Sequence, residues 1–238
     1  MKKTAIQKSN TDPAPSRHNE RSVMVLSVFG LLFLLLELWK QYYLYYIVFD
    51  QHYQIWYLPW QLCSMPIYLC PLYCVAARLK SPGAASLRRV IAGFLADFGL
   101  LGGVCALIVH SGFTFPAYPL LTLHGYTWHI LLILLSLYIT VSGISDTTKA
   151  GFFKTLPLFL LCAAIAELLN IVFHKYGDCD MFYISPYHMS SQPVFSEIDS
   201  MLGRIPGIFI YLGAVVLGAY VMHMLLTSLQ KRMHGKFI

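Results

Sequence analysis

The stretch Met24–Val48, MVLSVFGLLFLLLELWKQYYLYYIV, decides the fold class of this chain. A helix needs about 20 apolar residues to cross the hydrocarbon core of a bilayer. Lipid offers the backbone no hydrogen-bond partner, so an apolar run of this length is a transmembrane helix. The sequence predicts an all-α polytopic membrane helix bundle with about six transmembrane helices. The five further predicted spans are Leu58–Ala77, Ile91–Val109, Tyr126–Val141, Phe152–Phe173 and Ile205–Leu226.

The positive charges lie almost entirely on alternate sides of these runs. Of the 17 Lys and Arg residues, 14 fall on one set of flanks, Lys175 and Arg204 fall on the other, and Lys40 lies within the first run. Cytoplasmic loops carry the excess of Lys and Arg. The pattern therefore predicts a multi-pass protein of the cell membrane with both termini in the cytoplasm. Topology and anionic lipid explain the net charge of +6, so no nucleic-acid partner is expected.

The composition predicts a single membrane domain, because 57% of the residues are hydrophobic and only 12% are charged. Residues 1–22 are polar and contain two prolines, which predicts a disordered cytoplasmic tail. Residues 23–228 then form the six-helix membrane domain, and residues 229–238 form a basic cytoplasmic tail. No motif with metal-ligand spacing such as HExxH occurs, so neither a metal nor a cofactor is predicted.

Several polar side chains lie within the predicted spans, where an ionisable group is costly unless it is paired or functional. Glu37 and Lys40 are three residues apart in the first span, a spacing that allows them to pair. Glu167 and Asn170 share one face near the outer end of the fifth span. Such groups, converging on the middle and outer parts of the bundle, predict a cavity that opens to the outer leaflet.

Two histidines lie at the outer part of the fourth span. His129 belongs to a stripe with Ser136 and Thr140 that points into the bundle. His124 lies about 140° away from His129 on an ideal helix. It also precedes Gly125, so it fits a loop as well as a helix. Which of the two histidines faces the cavity stays open at this level.

Cys63 differs from the other cysteines of the second span by its position. It sits about one turn inside the outer end of that span, beside Ser64 and close to Gln61. A thiol at this depth is within reach of both the lipid headgroups and the bundle interior. We therefore expect Cys63 to line the outer cavity, together with Glu37, His129, Glu167 and Asn170.

The sequence also resembles the YwaF-like bacterial integral-membrane family. The resemblance extends from about Glu37 to Leu226 and depends most on Leu62–Ser64 and the His124/His129 segment. It is carried by the stretches LPWQLCSMPIYLCPL (Leu58–Leu72), FLADFGLLGGVCALI (Phe94–Ile108), YPLLTLHGYTWHILLILLSLYI (Tyr118–Ile139) and, after Asn170, CDMFYISP (Cys179–Pro186).

The resemblance implies a multi-helix membrane fold. That family is in turn similar to a eukaryotic transmembrane family of lipid acyltransferases thought to use a cysteine, which implies acyl transfer. One departure concerns the position of Gln61, where members of the YwaF-like family often have His. A local base beside Cys63 is therefore missing from this chain.

Two classes of function follow. In the first, the protein is a membrane enzyme that moves an acyl chain between lipids, with Cys63 as nucleophile and His129 as base. Glu167 or Asn170 would then orient the imidazole. In the second, the same polar cavity binds or transports a small polar ligand. The oligomeric state stays open. The residues predicted to bind the substrate are Glu37, Gln61, His124, Glu167 and Asn170.

Overall fold

The computed structural model describes residues 17–234 and the side chains of residues 20–233. Residues 1–16 of the predicted tail and residues 235–238 lie outside the described residues, and residues 17–22 form the first turns of the first helix. The described part of the chain is helical and contains no strand. Its α-helices are α1 (Arg17–Tyr43), α2 (Pro66–Ala77), α3 (Pro82–Ile108), α4 (Pro119–Ser142), α5 (Lys149–Phe173), α6 (Phe195–Leu202) and α7 (Arg204–His234).

Five of these helices, α1, α3, α4, α5 and α7, are long and apolar enough to cross a membrane. The prediction of an all-α polytopic membrane bundle is therefore confirmed. Helix α2 has only 12 residues, about 18 Å of helix, and is shorter than the span predicted there. Helix α6 is a short helix within the last outer loop, where no helix was predicted.

The second predicted span was wrong in its first half, because regular helix begins at Pro66 rather than at Leu58. Leu58 precedes Pro59 and has an extended backbone, as the proline ring disfavours the α conformation in the residue before it. Pro66 itself occupies the first turn of α2, where its missing N–H costs nothing. Cys63 therefore lies in a 3-10 turn, Leu62–Ser64, and not inside an α-helix.

Helix α3 is the central helix and packs against α2, α4, α5 and α7. More than half of its apolar stretch, 56%, is buried, against 17% for α7. Its contact with α4 is close: a Cβ atom at Gly103 would lie 2.8 Å from Ile133 Cγ1 and 3.0 Å from the His129 carbonyl oxygen. Gly103 of α3 therefore allows the outer half of α4 to approach α3 closely.

A buried charged pair joins α3 to α7 in the inner half of the bundle. His223 Nδ1 lies 3.0 Å from Asp97 Oδ2, and both residues are at most 3% exposed. The two residues are 126 positions apart in the chain. This pair explains how α3 carries a carboxyl group at a membrane depth that penalises charge.

The alternation of the helices leads to a prediction about orientation. Ser191 lies in the loop before α6, at the cavity end, and Ser86 lies near the start of α3 at the opposite end. In a cysteine-free background, Ser191→Cys is expected to react with an impermeant maleimide added outside cells, because the charge distribution places this end outside. Ser86→Cys is expected to react only after the cells are permeabilised. The reversed labelling pattern would contradict the orientation.

Candidate functional site

A cavity of about 650 Å³ lies at the end of the bundle that is predicted to face outward. It lies between the outer ends of α1, α3 and α4, the segment that leads into α2, the loop before α6, and α7. Much of its wall is apolar or aromatic, including Trp56, Tyr57, Phe113, Trp128 and Tyr211. The predicted site residues that line it are Gln61, Cys63, His124 and His129.

Cys63 is held in the cavity wall by the two neighbouring spans. The indole Nε1 of Trp128 donates a hydrogen bond of 3.1 Å to the Cys63 carbonyl oxygen. On the other side, a Cβ atom at Gly102 would lie 4.0 Å from Cys63 Cβ. Helix α4 thus positions the backbone of Cys63, and the glycine on α3 leaves room for its side chain.

His129 has a defined tautomer. Its Nδ1 lies 2.7 Å from the Gly125 carbonyl oxygen, and a carbonyl oxygen only accepts, so Nδ1 must carry the proton. In the neutral imidazole, Nε2 then has its lone pair available as a base. Among the described residues, Nε2 has no hydrogen-bond partner. The ring also stacks on Phe113, with 4.8 Å between the centroids, which fixes its plane.

His124 also lines the cavity. Both histidines of the fourth span therefore face it, and not one of the two alone. His124 lies in the first half of α4, which begins earlier than predicted. Its Nε2 donates to the Leu36 carbonyl oxygen at 3.1 Å, and its ring stacks on Trp39 of α1. Because that nitrogen is committed to the backbone of α1, His124 ties α1 to α4 at the cavity wall.

Glu37 and Lys40 pair as their spacing suggested, with 2.8 Å between Lys40 Nζ and Glu37 Oε1. Lys40 lines the cavity, whereas Glu37 stands behind it and is 4% exposed. Lys40 was not among the predicted site residues. Its position in the sequence could have identified it, because it is the one lysine within the first apolar run.

The residues that line the cavity do not include Glu167 and Asn170, which were expected there. Asn170 is fully buried and grips the outer loop: its Oδ1 accepts from the Met181 N–H at 2.6 Å and its Nδ2 donates to the Met181 carbonyl oxygen. Glu167 lies beside Asn170, with 3.5 Å between Glu167 Oε2 and Asn170 Nδ2. The loop segment around Met181 therefore stands between these two residues and the cavity, and the Gly125 carbonyl, not a residue of α5, orients His129.

Gln61 holds the same loop segment from the cavity side. Its Nε2 donates to the Asp180 carbonyl oxygen at 2.9 Å, and its Oε1 accepts from the Phe182 N–H at 2.8 Å. Phe182 and Tyr183 have left-handed backbones, with φ of 58° and 57°. Such conformations in residues other than glycine cost energy and persist only where their surroundings enforce them. The hydrogen bonds of Gln61 and Asn170 to this segment hold the two residues in that conformation.

Tyr183 and Cys179 lie in this loop and have different roles. Tyr183 lines the cavity, and burial raises the pKa of its hydroxyl, so it stays a neutral hydrogen-bond donor. Burial likewise raises the pKa of the Cys179 thiol, whose Sγ points to the Leu169 carbonyl oxygen. Cys179 does not line the cavity, so its thiol is structural and Cys63 and Cys105 are the thiols that reach it.

Arg204 fastens the loop to the start of α7. Its guanidinium donates to Asp199 Oδ2 at 2.8 Å and to the Ser185 and Tyr183 carbonyl oxygens at 2.7 and 2.9 Å. Asp180 Oδ1 lies 3.6 Å from the same group. Sequence reasoning saw Arg204 only as a topological charge. The loop that closes one side of the cavity depends on it.

The site thus combines a thiol and a base in one largely apolar space. Cys63 sits beside Gly102 and the His129 backbone beside Gly103, consecutive residues of α3. Within residues 17–234, no hydrogen bond joins the Cys63 thiol to the His129 ring. No group of three His, Cys, Asp or Glu side chains there is arranged to hold a metal ion. The thiol of Cys63 and the imidazole of His129 therefore line the same largely apolar cavity.

Comparison with known proteins supports a membrane role. A model of a transmembrane protein family matches residues 13–227, which together with the five long apolar helices makes the chain a multi-pass membrane protein. The resemblance to the YwaF-like family, and through it to acyltransferases, stays a prediction. No curated protein and no solved structure matches the chain. Because the matching model covers nearly the whole sequence and describes the TMEM164 family, the chain belongs to the TMEM164 family.

Proposed function

We propose that this protein is a membrane-embedded enzyme that transfers an acyl chain between lipids. Cys63 is the nucleophile and His129 the general base. The observation that carries the proposal is that both line one outer cavity and that Nε2 of a neutral His129 is unprotonated. The sequence resemblance to cysteine-dependent lipid acyltransferases supports the same chemistry.

The reaction proceeds in two balanced steps. His129 Nε2 takes the proton of the Cys63 thiol, and the thiolate attacks the ester carbonyl of the donor lipid. The acyl C–O bond breaks, a thioester forms, and the leaving alkoxide takes the proton from His129. The hydroxyl of an acceptor lipid then attacks the thioester while His129 removes its proton. Breaking of the C–S bond releases the Cys63 thiolate, which takes this proton back from His129.

The cavity wall suits an acyl chain better than a charged metabolite. Trp56, Tyr57 and Trp128 present aromatic surface, and Leu121, Ala214 and Val215 present aliphatic surface. Apolar walls with a few polar groups are typical of sites for apolar ligands. In this proposal Gln61 and His124 contact the polar part of the substrate, because both line the cavity. Membrane lipid is then both donor and acceptor.

A second candidate is a binding or transport protein for a small polar ligand. The missing hydrogen bond between the Cys63 thiol and His129 favours it, since a preformed nucleophile–base contact is the usual mark of covalent catalysis. Catalytic contacts, however, are often long without substrate and tighten in the complex. The acyl-transfer proposal therefore stands ahead of the binding proposal.

The test is lipid turnover by the purified full-length protein in liposomes. The liposomes contain a phospholipid with an isotope-labelled acyl chain and an unlabelled lysophospholipid acceptor. We expect label in the acceptor and, after rapid acid quenching, a hydroxylamine-sensitive acyl adduct on Cys63 by mass spectrometry. The binding-protein proposal would be favoured if neither acyl transfer nor an adduct were found and a labelled polar ligand were retained in the cavity.

A further inference from the structure

The cavity wall contains one fixed positive charge in the part of the chain that the structure describes. Lys40 is the single Lys or Arg among the cavity-lining residues, and its side chain is 21% exposed. An ammonium group at this depth is costly unless it is paired or functional. Pairing with Glu37 lowers the cost. It does not explain why the lysine, rather than its partner, faces the cavity.

A chain of contacts holds Lys40 in place. Glu37 Oε1 accepts from both Lys40 Nζ at 2.8 Å and Gln41 Nε2 at 2.7 Å. The Gln41 amide also donates to the Tyr57 carbonyl oxygen at 2.7 Å, which anchors it to the segment that leads to Cys63. The ammonium is therefore held by Glu37, and Gln41 links Glu37 to the outer segment.

Trp128 connects Lys40 to Cys63. Lys40 Nζ lies 6.0 Å from the centroid of the Trp128 ring, and the same indole donates its Nε1–H to the Cys63 carbonyl oxygen. The cation and the thiol-bearing residue are thus positioned on one rigid aromatic group. In a largely apolar cavity, a positive charge acts on a neighbouring thiol more strongly than it does in water.

We infer that Lys40 is a positioning residue whose ammonium group stabilises the Cys63 thiolate. The inference rests on the proposed function, in which Cys63 must be deprotonated before it attacks. Lys40 would also compensate for the absence of a base at position 61, because a cation next to a cysteine favours the thiolate without accepting a proton. Glu37 opposes part of this effect, yet it stands behind the cavity wall while Lys40 lines it.

Other titratable groups face Cys63, and they differ from Lys40 in charge. None of them is a fixed cation at neutral to alkaline pH, when ordinary His, Cys and Tyr side chains are uncharged or become anionic. Lys40 is therefore the group whose removal takes positive charge away from the thiol. By element, these groups are Glu37 on α1, Tyr57 in the segment before α2, Cys105 on α3, His124 and His129 on α4, Tyr183 in the outer loop and Tyr211 on α7.

The experiment measures the alkylation rate of Cys63 by iodoacetamide from neutral to alkaline pH. Full-length protein in lipid nanodiscs is used, and tandem mass spectrometry localises the adduct. In Lys40→Met we expect the rate profile to move to higher pH by about one unit, with alkylation at neutral pH about tenfold slower. Lys40→Arg keeps the charge and is expected to restore the profile. Lys175→Met, which removes an outer cation that does not line the cavity, is the matched control.

A Lys40→Met profile that coincides with wild type would overturn the inference. Cys70 reports on folding, because it is 0% exposed and its alkylation would reveal an opened bundle. If Lys40→Met is misfolded, the double variant Glu37→Gln/Lys40→Met leaves no unpaired charge and must show a shift to higher pH. A wild-type profile in the double variant also overturns it. Alkylation needs no lipid turnover, so this result and the acyl-transfer result fail or succeed separately.

Discussion

Replacement of Cys63 by serine is expected to abolish lipid acyl transfer, with a loss of at least about 10³-fold in rate. A serine hydroxyl ionises far less readily than a thiol, and an imidazole alone does not make it an equivalent nucleophile in a site built for sulfur. The measurement is the transfer of labelled acyl chains in liposomes. Cys70→Ser is the matched control, because Cys70 on α2 packs against Gly30 of α1 and does not line the cavity.

His129→Ala is expected to lower the same rate by about 10²- to 10⁴-fold, which is the usual contribution of a general base. Residues that act as one unit are not additive, so the double variant Cys63→Ser/His129→Ala should be no slower than the slower single variant. Full activity in Cys63→Ser would remove Cys63 as the nucleophile. An additive loss in the double variant would show that His129 acts apart from Cys63.

Arg204→Met is expected to destabilise the outer loop by about 3–5 kcal/mol, the usual cost of removing one partner of a buried ion pair. Asp199 and Asp180 are 1% and 2% exposed and would lose their countercharge. The Ser185 and Tyr183 carbonyl oxygens would lose their donor as well. The measurement is the denaturant dependence of proteolysis within the loop, followed by mass spectrometry of the fragments.

Two variants sharpen this test of the loop. Arg204→Lys keeps the charge but lacks the planar guanidinium that serves several acceptors at once, so an intermediate loss of stability is expected. Arg78→Met removes an exposed arginine at the opposite end of the bundle and should leave the loop unchanged. Equal protease resistance of Arg204→Met and wild type would contradict the fastening role of Arg204.

The sequence alone determined the class of the fold and the region of the site. Apolar runs such as Met24–Val48 must be helical in lipid, since no other open structure satisfies the backbone there. The helical period also placed His129 on an inward face, and the side chain is indeed buried. These properties are local, because they depend on length, hydropathy and periodicity within one segment.

Only the tertiary structure decided which of the inward residues share the cavity. Periodicity shows which face of a helix points inward but not which neighbour it meets, so Asn170 was assigned to the cavity although it binds the loop at Met181. The turn that carries Cys63 lies outside α2, because regular helix begins only at Pro66. The ammonium of Lys40 lies over the Trp128 ring, and Asp97 pairs with His223; both contacts join residues distant in sequence. Such partners are set by the packing of whole helices, and no single segment of the sequence contains that information.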